Sequence, residues 1–254
     1  MDPLSREGRV HRELNYLVRE SVALRLRDFV RQYLDLNEYS VAQPNFSFPV
    51  HSLYLDSPAL DLYRQARNDI EHRCHLRVRF HDERPDSPVF LEIKRRAVDV
   101  VTRQRCAVRR QALAFVLNGQ LPPVELFLRP TAQAMQAAQD FVKLQQTHRA
   151  QPQLRLSFVR EGYVGDNEAV QVTFDRQVVF EPCQDASLRC ALGAPRRLFA
   201  PHVVFELNFV ERFPRWFQEM VQHFNLTECG VDKYVGAMAS LRHDDLTRTI
   251  RGPS

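Results

Sequence analysis

The sequence is poor in glycine and lacks the common loop motifs for phosphate and metal. It contains 8 glycines in 254 residues, and neither G-x-x-x-x-G-K-[ST] nor G-x-G-x-x-G occurs, which excludes the usual glycine-rich phosphate loops. The 5 cysteines show no C-x-x-C spacing, and the 9 histidines show no H-x-x-x-H or H-E-x-x-H spacing. Neither a disulfide framework nor a standard zinc site is therefore indicated. Any phosphate binding must come from side chains on regular structure.

Long apolar stretches are also missing. No run of about 18 apolar residues occurs, as a membrane-spanning helix requires. The first residues, MDPLSREGRVHREL, are charged where a signal peptide needs an apolar segment. These features predict a soluble, cytoplasmic protein with no membrane segment in this chain, and they leave a membrane-associated partner open.

The basic residues are strongly biased towards arginine. The 35 basic and 31 acidic residues give a net charge of +4, and among the basic residues only Lys94, Lys143 and Lys233 are lysines. So small a net charge identifies no partner by itself. Each lysine in so arginine-rich a chain is nevertheless a candidate for a specific role.

Hydrophobic periodicity predicts an antiparallel α+β protein. Alternating patterns predict strands over 10–18, 50–55, 74–80, 89–94, 98–108, 153–163, 169–180 and 203–210. Helical patterns cover 20–36, 58–68, 111–118, 131–148, 214–224 and 232–242, with Ser57 as the expected N-cap and Pro58 as the first residue of the second helix. Because the helices do not follow every strand, a doubly wound parallel sheet is disfavoured. We expect a single domain over 9–243, with frayed termini at 1–8 and 244–254.

Two adjacent strands place charged residues on one face. In HLRVRF and FLEIKRR, a register that joins the apolar rows also puts Arg77 and Arg79 beside Glu92 and Lys94. The next strand adds Arg103 and Arg105 to this face. A solvent-exposed face is the simplest explanation of such alternation. However, two cations about 5 Å apart repel by roughly 3 kcal/mol at an effective dielectric constant of 20. An enclosed cationic face of this kind therefore favours a bound polyanion.

Enclosure follows if the eight antiparallel strands close on themselves. Such a barrel would carry its apolar faces outward under the helices and its polar faces around a lumen. The strands near the two ends of the chain would add Glu13 and Asn15, and Glu206 and Asn208, whose parity is opposite to that of their apolar neighbours. The sequence thus predicts a closed antiparallel eight-stranded β-barrel with a charged tunnel and helices packed outside.

An ordered set of short motifs resembles a known family. The motifs are SLYLDS, HLRVRF, FLEIKRR, TRQR, LSFVREGY, VTFD, FELN and VDKY, and they occur in this order. Together they resemble the VTC domain, the polyphosphate polymerase domain of the triphosphate tunnel metalloenzyme (CYTH-like) superfamily, from about residue 13 to about residue 238. The resemblance implies a triphosphate tunnel fold in which basic side chains hold a triphosphate and a carboxylate holds a divalent metal. It also implies transfer of the γ-phosphate of ATP to a growing polyphosphate chain.

The resemblance assigns roles to individual positions. The catalytic candidates are Arg77, Arg79, Lys94 and Lys233. The substrate-binding candidates are Arg103, Arg105, Arg160, Asn15, Gln171 and Asn208, and for Arg105 a solvated or ion-paired structural role is the alternative. The candidates for binding Mn²⁺ or Mg²⁺ are Glu206 and Glu13, and Glu92 is a candidate for orienting a neighbouring arginine. Two of the three lysines in the chain fall on these positions.

Four positions depart from what the motifs lead one to expect. Asn15, Gln171 and Asn208 stand where the family carries lysine or arginine, so three positive charges are missing from the inferred lining. Arg160 shares its strand parity with Leu156 and Phe158, so its inward direction is expected to need a bulge.

Three functions remain open from the sequence. They are an ATP-dependent, metal-dependent polyphosphate polymerase, a non-catalytic module that binds polyphosphate or another polyanion, and a triphosphate hydrolase on the same scaffold. The expected partners are ATP and inorganic polyphosphate or triphosphate. Specific nucleic-acid binding is not expected, because aromatic residues are not interleaved with the basic strands as stacking platforms.

Overall fold

The computed structural model describes residues 10–69, 71–98, 100–165, 169–210 and 212–251, with side chains to residue 242. The strands are β1 (Val10–Arg19), β2 (Asp35–Leu36), β3 (Phe48–Asp56), β4 (His72–Phe80), β5 (Val89–Ala97), β6 (Val100–Val108), β7 (Gln151–Gly165), β8 (Val170–Pro182), β9 (Arg196–Arg197) and β10 (His202–Phe209). The helices are α1 (Glu20–Val30), α2 (Glu38–Val41), α3 (Asp61–Asn68), α4 (Ala112–Leu117), α5 (Ala132–His148), α6 (Arg215–His223) and α7 (Lys233–Arg251).

Eight long strands form a closed antiparallel barrel. The sheet order is β2-β7-β3-β4-β5-β6-β1-β10-β8-β9, and an additional pairing of β7 with β8 closes the ring. The two-residue strands β2 and β9 pair with β7 and β8 and lie outside this ring. The α+β class and the eight-stranded barrel predicted from the sequence are confirmed.

Two hydrophobic cores cover the outside of the barrel. Helices α4 and α5 pack on the outward faces of β3 to β6, where Phe141 of α5 is completely buried. Helices α1 and α6 pack on the outward faces of β1, β8 and β10, where Phe217 of α6 is completely buried. These two cores and the closure of the ring explain how charged side chains inside it can be kept from bulk water.

A third core lies inside the barrel. Inward-facing apolar residues of β3, β7 and β8 pack against Tyr234, Ala237 and Met238 of α7. The sequence pattern predicted polar faces around the lumen. The interior is instead not polar along its whole length. It is apolar where α7 packs on the barrel and charged over the rest.

The face that β7 turns inward differs from the expected one. β7 pairs Phe158 with Val50 and Leu156 with Ser52 of β3, so its even-numbered residues point into the lumen. Arg160 has the same parity and enters the lumen without a bulge between it and Leu156, since the extra residue of β7 against β3 lies earlier, at Gln153. The register shift nearer to Arg160 lies on β8, where one extra residue is accommodated and Gln177 adopts a positive φ of 52°. The predicted bulge at Arg160 is therefore wrong, and Arg155 is the arginine that points outward.

Two helix boundaries also differ from the prediction. Helix α3 begins at Asp61 and not at Pro58, because the buried carboxylate of Asp56 accepts hydrogen bonds from the backbone amides of Leu62 and Tyr63. Ser57 still contributes, since its Oγ accepts a bond from the amide of Asp61 at 3.0 Å. Helix α1 ends at Val30, well before residue 36, because Asp35 and Leu36 pair with β7.

The ends of the chain are only partly described. Residues 1–8, expected to fray, and residues 252–254 lie outside the described residues. Backbone of α7 continues to Arg251. Within the part of the chain that the structure describes, no helix is long and apolar enough to cross a membrane.

Candidate functional site

Two adjoining cavities, which share four lining residues, occupy the charged part of the lumen. We call them the charged cavity and the aromatic cavity. The charged cavity is lined by Glu13, Tyr54, Arg73, His75, Arg77, Arg79, Lys94, Arg96, Arg103, Phe158, Arg160, Glu206, Val231, Asp232 and Lys233. The aromatic cavity is lined by Asn37, Tyr39, Phe48, Val50, Arg79, His81, Arg103, Arg105, Arg160, Tyr163, Val164, Gln171, Thr173, Glu206 and Asn208. Arg79, Arg103, Arg160 and Glu206 line both, so these four side chains surround the junction.

The structure brings the predicted site residues together around this lumen. Eleven of the twelve candidates line one or both cavities. The twelfth, Asn15, is buried beside them and donates a hydrogen bond to Glu13 at 3.2 Å.

The lumen has a cationic wall built by β4, β5 and β6. Pairing of Arg77 with Glu92 and of Lys94 with Arg103 places these four side chains on the inner face. Strand pairing also brings Arg105 opposite Glu92, and its guanidinium lies 3.6 Å from the centre of the Phe90 ring. This wall is the predicted cluster of arginines and one lysine.

Glu92 is the single carboxylate shared by three arginines of this wall. It is completely buried and accepts hydrogen bonds from the Nε and Nη2 of Arg77. The nearest guanidinium nitrogens of Arg79 and Arg103 lie 3.7 Å and 3.6 Å from its oxygens. These guanidinium groups hold the pKa of Glu92 well below its usual value in spite of its burial. Glu92 is therefore hydrogen-bonded to Arg77 and within ion-pair distance of Arg79 and Arg103, which agrees with the expected role of orienting a neighbouring arginine.

Arg77 and Arg79 differ in how well they are compensated. Burial would lower the pKa of Arg77, but Glu92 and Tyr54 outweigh burial and the pKa is raised. For Arg79, burial and the nearby positive charge of Arg77 lower the pKa to about 9. The Nε of Arg79 is buried without a hydrogen-bond partner. Arg79 is thus a buried cation that an anion in the lumen would stabilise.

The opposite wall, built by β1, β10 and β8, presents oxygen and amide groups. Asn15 pairs with Glu206, and Asn208 pairs with Glu13 on one side and Gln171 on the other. Among the described residues, the inward positions of this wall near the junction carry carboxylates, amides and a hydroxyl but no cation. The three amide substitutions noted in the sequence therefore share one wall, and the lumen is electrically asymmetric.

Glu13 and Glu206 are the candidate metal ligands on this wall. Glu13 accepts from Lys94 at 2.7 and 2.9 Å, and Glu206 accepts from Asn208 at 2.7 Å. Burial would raise the pKa of both carboxylates. The positive charge of Lys94 lowers both pKa values, and Arg103 contributes to this at Glu13 and Arg160 at Glu206. Both are therefore held ionised, which suits a hard cation such as Mn²⁺ or Mg²⁺. No group of three His, Cys, Asp or Glu side chains suited to a metal occurs in the described ranges, so a metal held by these two carboxylates would need further ligands from outside the protein.

Asp175 is a member of the site that the sequence interpretation missed. It is completely buried and binds Arg160 through two hydrogen bonds of 2.6 and 2.7 Å. Its other contact is Lys233, whose Nζ lies 2.8 Å from Oδ2. Asp175 ends the VTFD motif with the same parity as Gln171, and this parity could have identified it.

A second missed cluster holds the start of α7 at the charged cavity. Asp232 accepts from His75 Nε2 at 2.7 Å and from Arg73 at 3.2 Å. Its other oxygen accepts from the amide of Val235 at 3.0 Å. Asp232 thereby fixes the first turn of α7 and positions the adjacent Lys233 in the lumen.

Arg155 illustrates an arginine outside the site. It lies on the outward face of β7 and binds Glu181, Asp185 and Ser187. It is only 3% exposed. These contacts give Arg155 an ion-paired, structural role.

Comparison with known proteins gives a family and a set of similar folds. The model of the VTC domain matches residues 10–242, and no curated protein matches the chain in sequence. A candidate adenylate cyclase from Bacillus halodurans is 15% identical with a TM-score of 0.48, over 89% of this chain and 95% of that one. A protein from Pyrococcus horikoshii OT3 is 12% identical with a TM-score of 0.44, over 91% and 98%. A candidate adenylate cyclase from Vibrio parahaemolyticus is 13% identical with a TM-score of 0.42, over 87% and 91%.

Proposed function

Because this chain belongs to the VTC domain family, we propose that it transfers the γ-phosphate of ATP to a growing polyphosphate chain inside its barrel. The family supports a function connected with polyphosphate or triphosphate. The observation that carries the proposal is the buried cationic wall, in which Glu92 serves three arginines and Arg79 is left with a lowered pKa. Such a wall is stabilised by a ligand with several negative charges in a row.

The arginines would bind and orient the phosphate groups. A guanidinium group binds phosphate oxygens through two parallel hydrogen bonds, which fixes both position and direction. Arg79, Arg103 and Arg160 surround the junction of the two cavities and would hold the middle of the triphosphate. Arg77 would hold the phosphate next in line on the side of the charged cavity.

The lysines would act nearer to the transferred phosphate. Lys94 and Lys233 line the charged cavity and not the aromatic one. Each is held by a carboxylate, Glu13 for Lys94 and Asp175 for Lys233. These contacts would aim the ammonium groups at oxygens of the γ-phosphate, where negative charge changes during transfer.

No protein nucleophile is required for this reaction. The terminal phosphate of the growing chain attacks the γ-phosphorus, the bond to the bridging oxygen of ATP breaks, and ADP leaves. The contribution of the protein is alignment and electrostatic stabilisation. A divalent metal held by Glu206 and Glu13 would offset phosphate charge on the wall that lacks cations.

Product analysis distinguishes this function from its alternatives. The purified chain is incubated with ATP and Mn²⁺, and long-chain polyphosphate, ADP and free phosphate are measured. Polyphosphate and ADP in equal phosphate equivalents are expected. Free phosphate without chain growth would instead identify a triphosphate hydrolase, and the absence of both products would reject catalysis by the chain alone.

The wall of amides favours one further candidate function. With Asn15, Gln171 and Asn208 in place of cations, this chain could bind polyphosphate without extending it. Tight binding of polyphosphate together with no ADP formation from ATP is the result that selects this non-catalytic function.

A further inference from the structure

The outer part of the aromatic cavity is built from rings and neutral polar groups. The Tyr39 ring centre lies 5.2 Å from that of Phe48 and 5.4 Å from that of His81, and the Tyr39 and His81 planes differ by 30°. Of the residues that line only this cavity, Arg105 is the one with a permanent charge. The residues that line only the charged cavity include five lysines and arginines.

His81 is neutral at physiological pH. Its Nδ1 lies 2.9 Å from the carbonyl oxygen of Pro49, and because a carbonyl can only accept, Nδ1 carries the ring proton. Burial, together with nearby Arg79, lowers the pKa of His81 to about 4 in spite of the hydrogen bond to Pro49, which raises it. The ring surface of the aromatic cavity is therefore not cationic at Tyr39 and His81, and it suits a stacked base better than a phosphate.

Two buried oxygen atoms in the same cavity have no hydrogen-bond partner. They are Thr173 Oγ1 and Asn208 Oδ1, on residues that are 6% and 7% exposed. The amide nitrogen of Asn208 donates to Glu206, so its oxygen needs a donor. Ionised phosphate oxygens only accept, whereas hydroxyl and amino groups donate. Asn208 Oδ1 therefore points to a part of the ligand other than phosphate, whereas the Thr173 hydroxyl, which both donates and accepts, can serve either part.

We propose that the aromatic cavity is the nucleoside subsite of the tunnel. The base lies against Tyr39 and His81, the donor groups of the sugar or base reach Thr173 and Asn208, and the triphosphate points past Arg79 into the charged cavity. From His81 to Arg77 the strand advances about 14 Å, a span that suits an extended nucleoside triphosphate. The growing polyphosphate chain accordingly occupies the mouth at Arg73 and Arg96. This assignment rests on the proposed function, because it presupposes that the ligand is a nucleotide.

Calorimetry with two ligands tests the subsite. ATP and inorganic tripolyphosphate, each with Mn²⁺, are titrated into the wild type, Tyr39→Ala and Tyr39→Phe. Removing the ring is expected to weaken the binding of ATP about tenfold, since stacking of a base on one aromatic side chain commonly contributes this much to affinity. Tripolyphosphate should bind all three proteins within about twofold, and Tyr39→Phe should retain ATP affinity. Tyr33→Ala is the matched control, because Tyr33 stacks on Trp216 outside the barrel.

Two results would overturn the assignment. One is an equal loss of affinity for ATP and for tripolyphosphate in Tyr39→Ala, which would give Tyr39 a purely structural role. The other is an unchanged affinity of Tyr39→Ala for ATP. If Tyr39→Ala does not fold, saturation-transfer NMR on the wild type decides, because the adenine protons must receive saturation from the protein. Failure of the wild type to bind either ligand would reject the proposed function as well. Wild-type polyphosphate synthesis with unchanged ATP binding in Tyr39→Ala would reject the subsite alone.

Discussion

Replacing Arg77 and Arg79 separately by methionine should have opposite effects on the stability of the ligand-free protein. Arg77 donates two hydrogen bonds to Glu92 and one to Tyr54. Arg79 has a buried Nε without a partner and lies 3.7 Å from Glu92 at its closest. Methionine preserves much of the apolar stem of either side chain while removing the charge.

The two magnitudes follow from these contacts. Breaking a buried ion pair costs about 3–5 kcal/mol, and the remaining arginines near Glu92 place Arg77→Met at the lower end. At roughly 2–4 °C per kcal/mol for a domain of this size, its Tm should fall by about 6–12 °C. For Arg79, a shift from the ordinary pKa to about 9 corresponds to ~5 kcal/mol against the charged form at 1.36 kcal/mol per unit. Losing that penalty should offset the lost packing, so the Tm of Arg79→Met should be unchanged or higher.

Differential scanning fluorimetry with and without tripolyphosphate and Mn²⁺ measures both effects. At a ligand concentration of 100 times Kd the wild type should gain about 2.7 kcal/mol. Arg79→Met should lose this gain although its own stability is intact. Arg155→Met is the control, because Arg155 lies outside the lumen and its removal should preserve the ligand-induced shift. If Arg79→Met were as unstable as Arg77→Met, the inference of an uncompensated cation would be refuted.

Three further predictions concern pH, the lysine of α7 and the metal. Burial and Arg103 lower the pKa of His11 from 6.5 to about 4, so the unfolded chain binds its proton more tightly. The contribution of His11 to the free energy of unfolding should be fully present above pH 6.5, and the free energy should fall by about 3 kcal/mol towards pH 4. Urea unfolding of His11→Asn should lack that part of the pH dependence. Lys233→Met should lower kcat at least tenfold. The Kd of tripolyphosphate should change little, because Asp175 keeps Arg160 as a partner. An unchanged kcat would exclude Lys233 from phosphate transfer. Glu206→Gln should weaken Mn²⁺ binding to the tripolyphosphate complex about tenfold by electron paramagnetic resonance, and unaltered Mn²⁺ affinity would remove Glu206 from the metal site.

Local alternation predicted most of the fold because a strand records its two faces in its own residues. The hairpin of β4 and β5 is the clearest case, since Arg77, Glu92 and Lys94 share a face at the register that the apolar rows require. Helix boundaries were predicted less well where a distant group sets them. The start of α3 depends on the buried Asp56, which also accepts a bond from Tyr234 of α7 at 2.8 Å.

The site was predicted where its residues stand on neighbouring strands and missed where it depends on closure of the barrel. Asp175 binds Arg160 across the β7–β8 pairing that closes the ring, and its other partner, Lys233, comes from a helix near the end of the chain. No pattern within VTFD reveals those partners. Asp232 was missed in the same way, because His75 and Arg73 belong to β4.

The sequence by itself determined which side chains share a face and that one such face carries an excess of arginine. It did so because the side-chain period of a strand is a local property of the backbone. Only the tertiary structure decided which face turns inward. On β7 the inward face is the apolar one with Arg160, since contacts with α7 and with β3 are made by residues far apart in the chain. The asymmetric lumen, with cations on one wall and oxygen and amide groups on the other, exists only because closure places β4, β5 and β6 across from β1, β10 and β8.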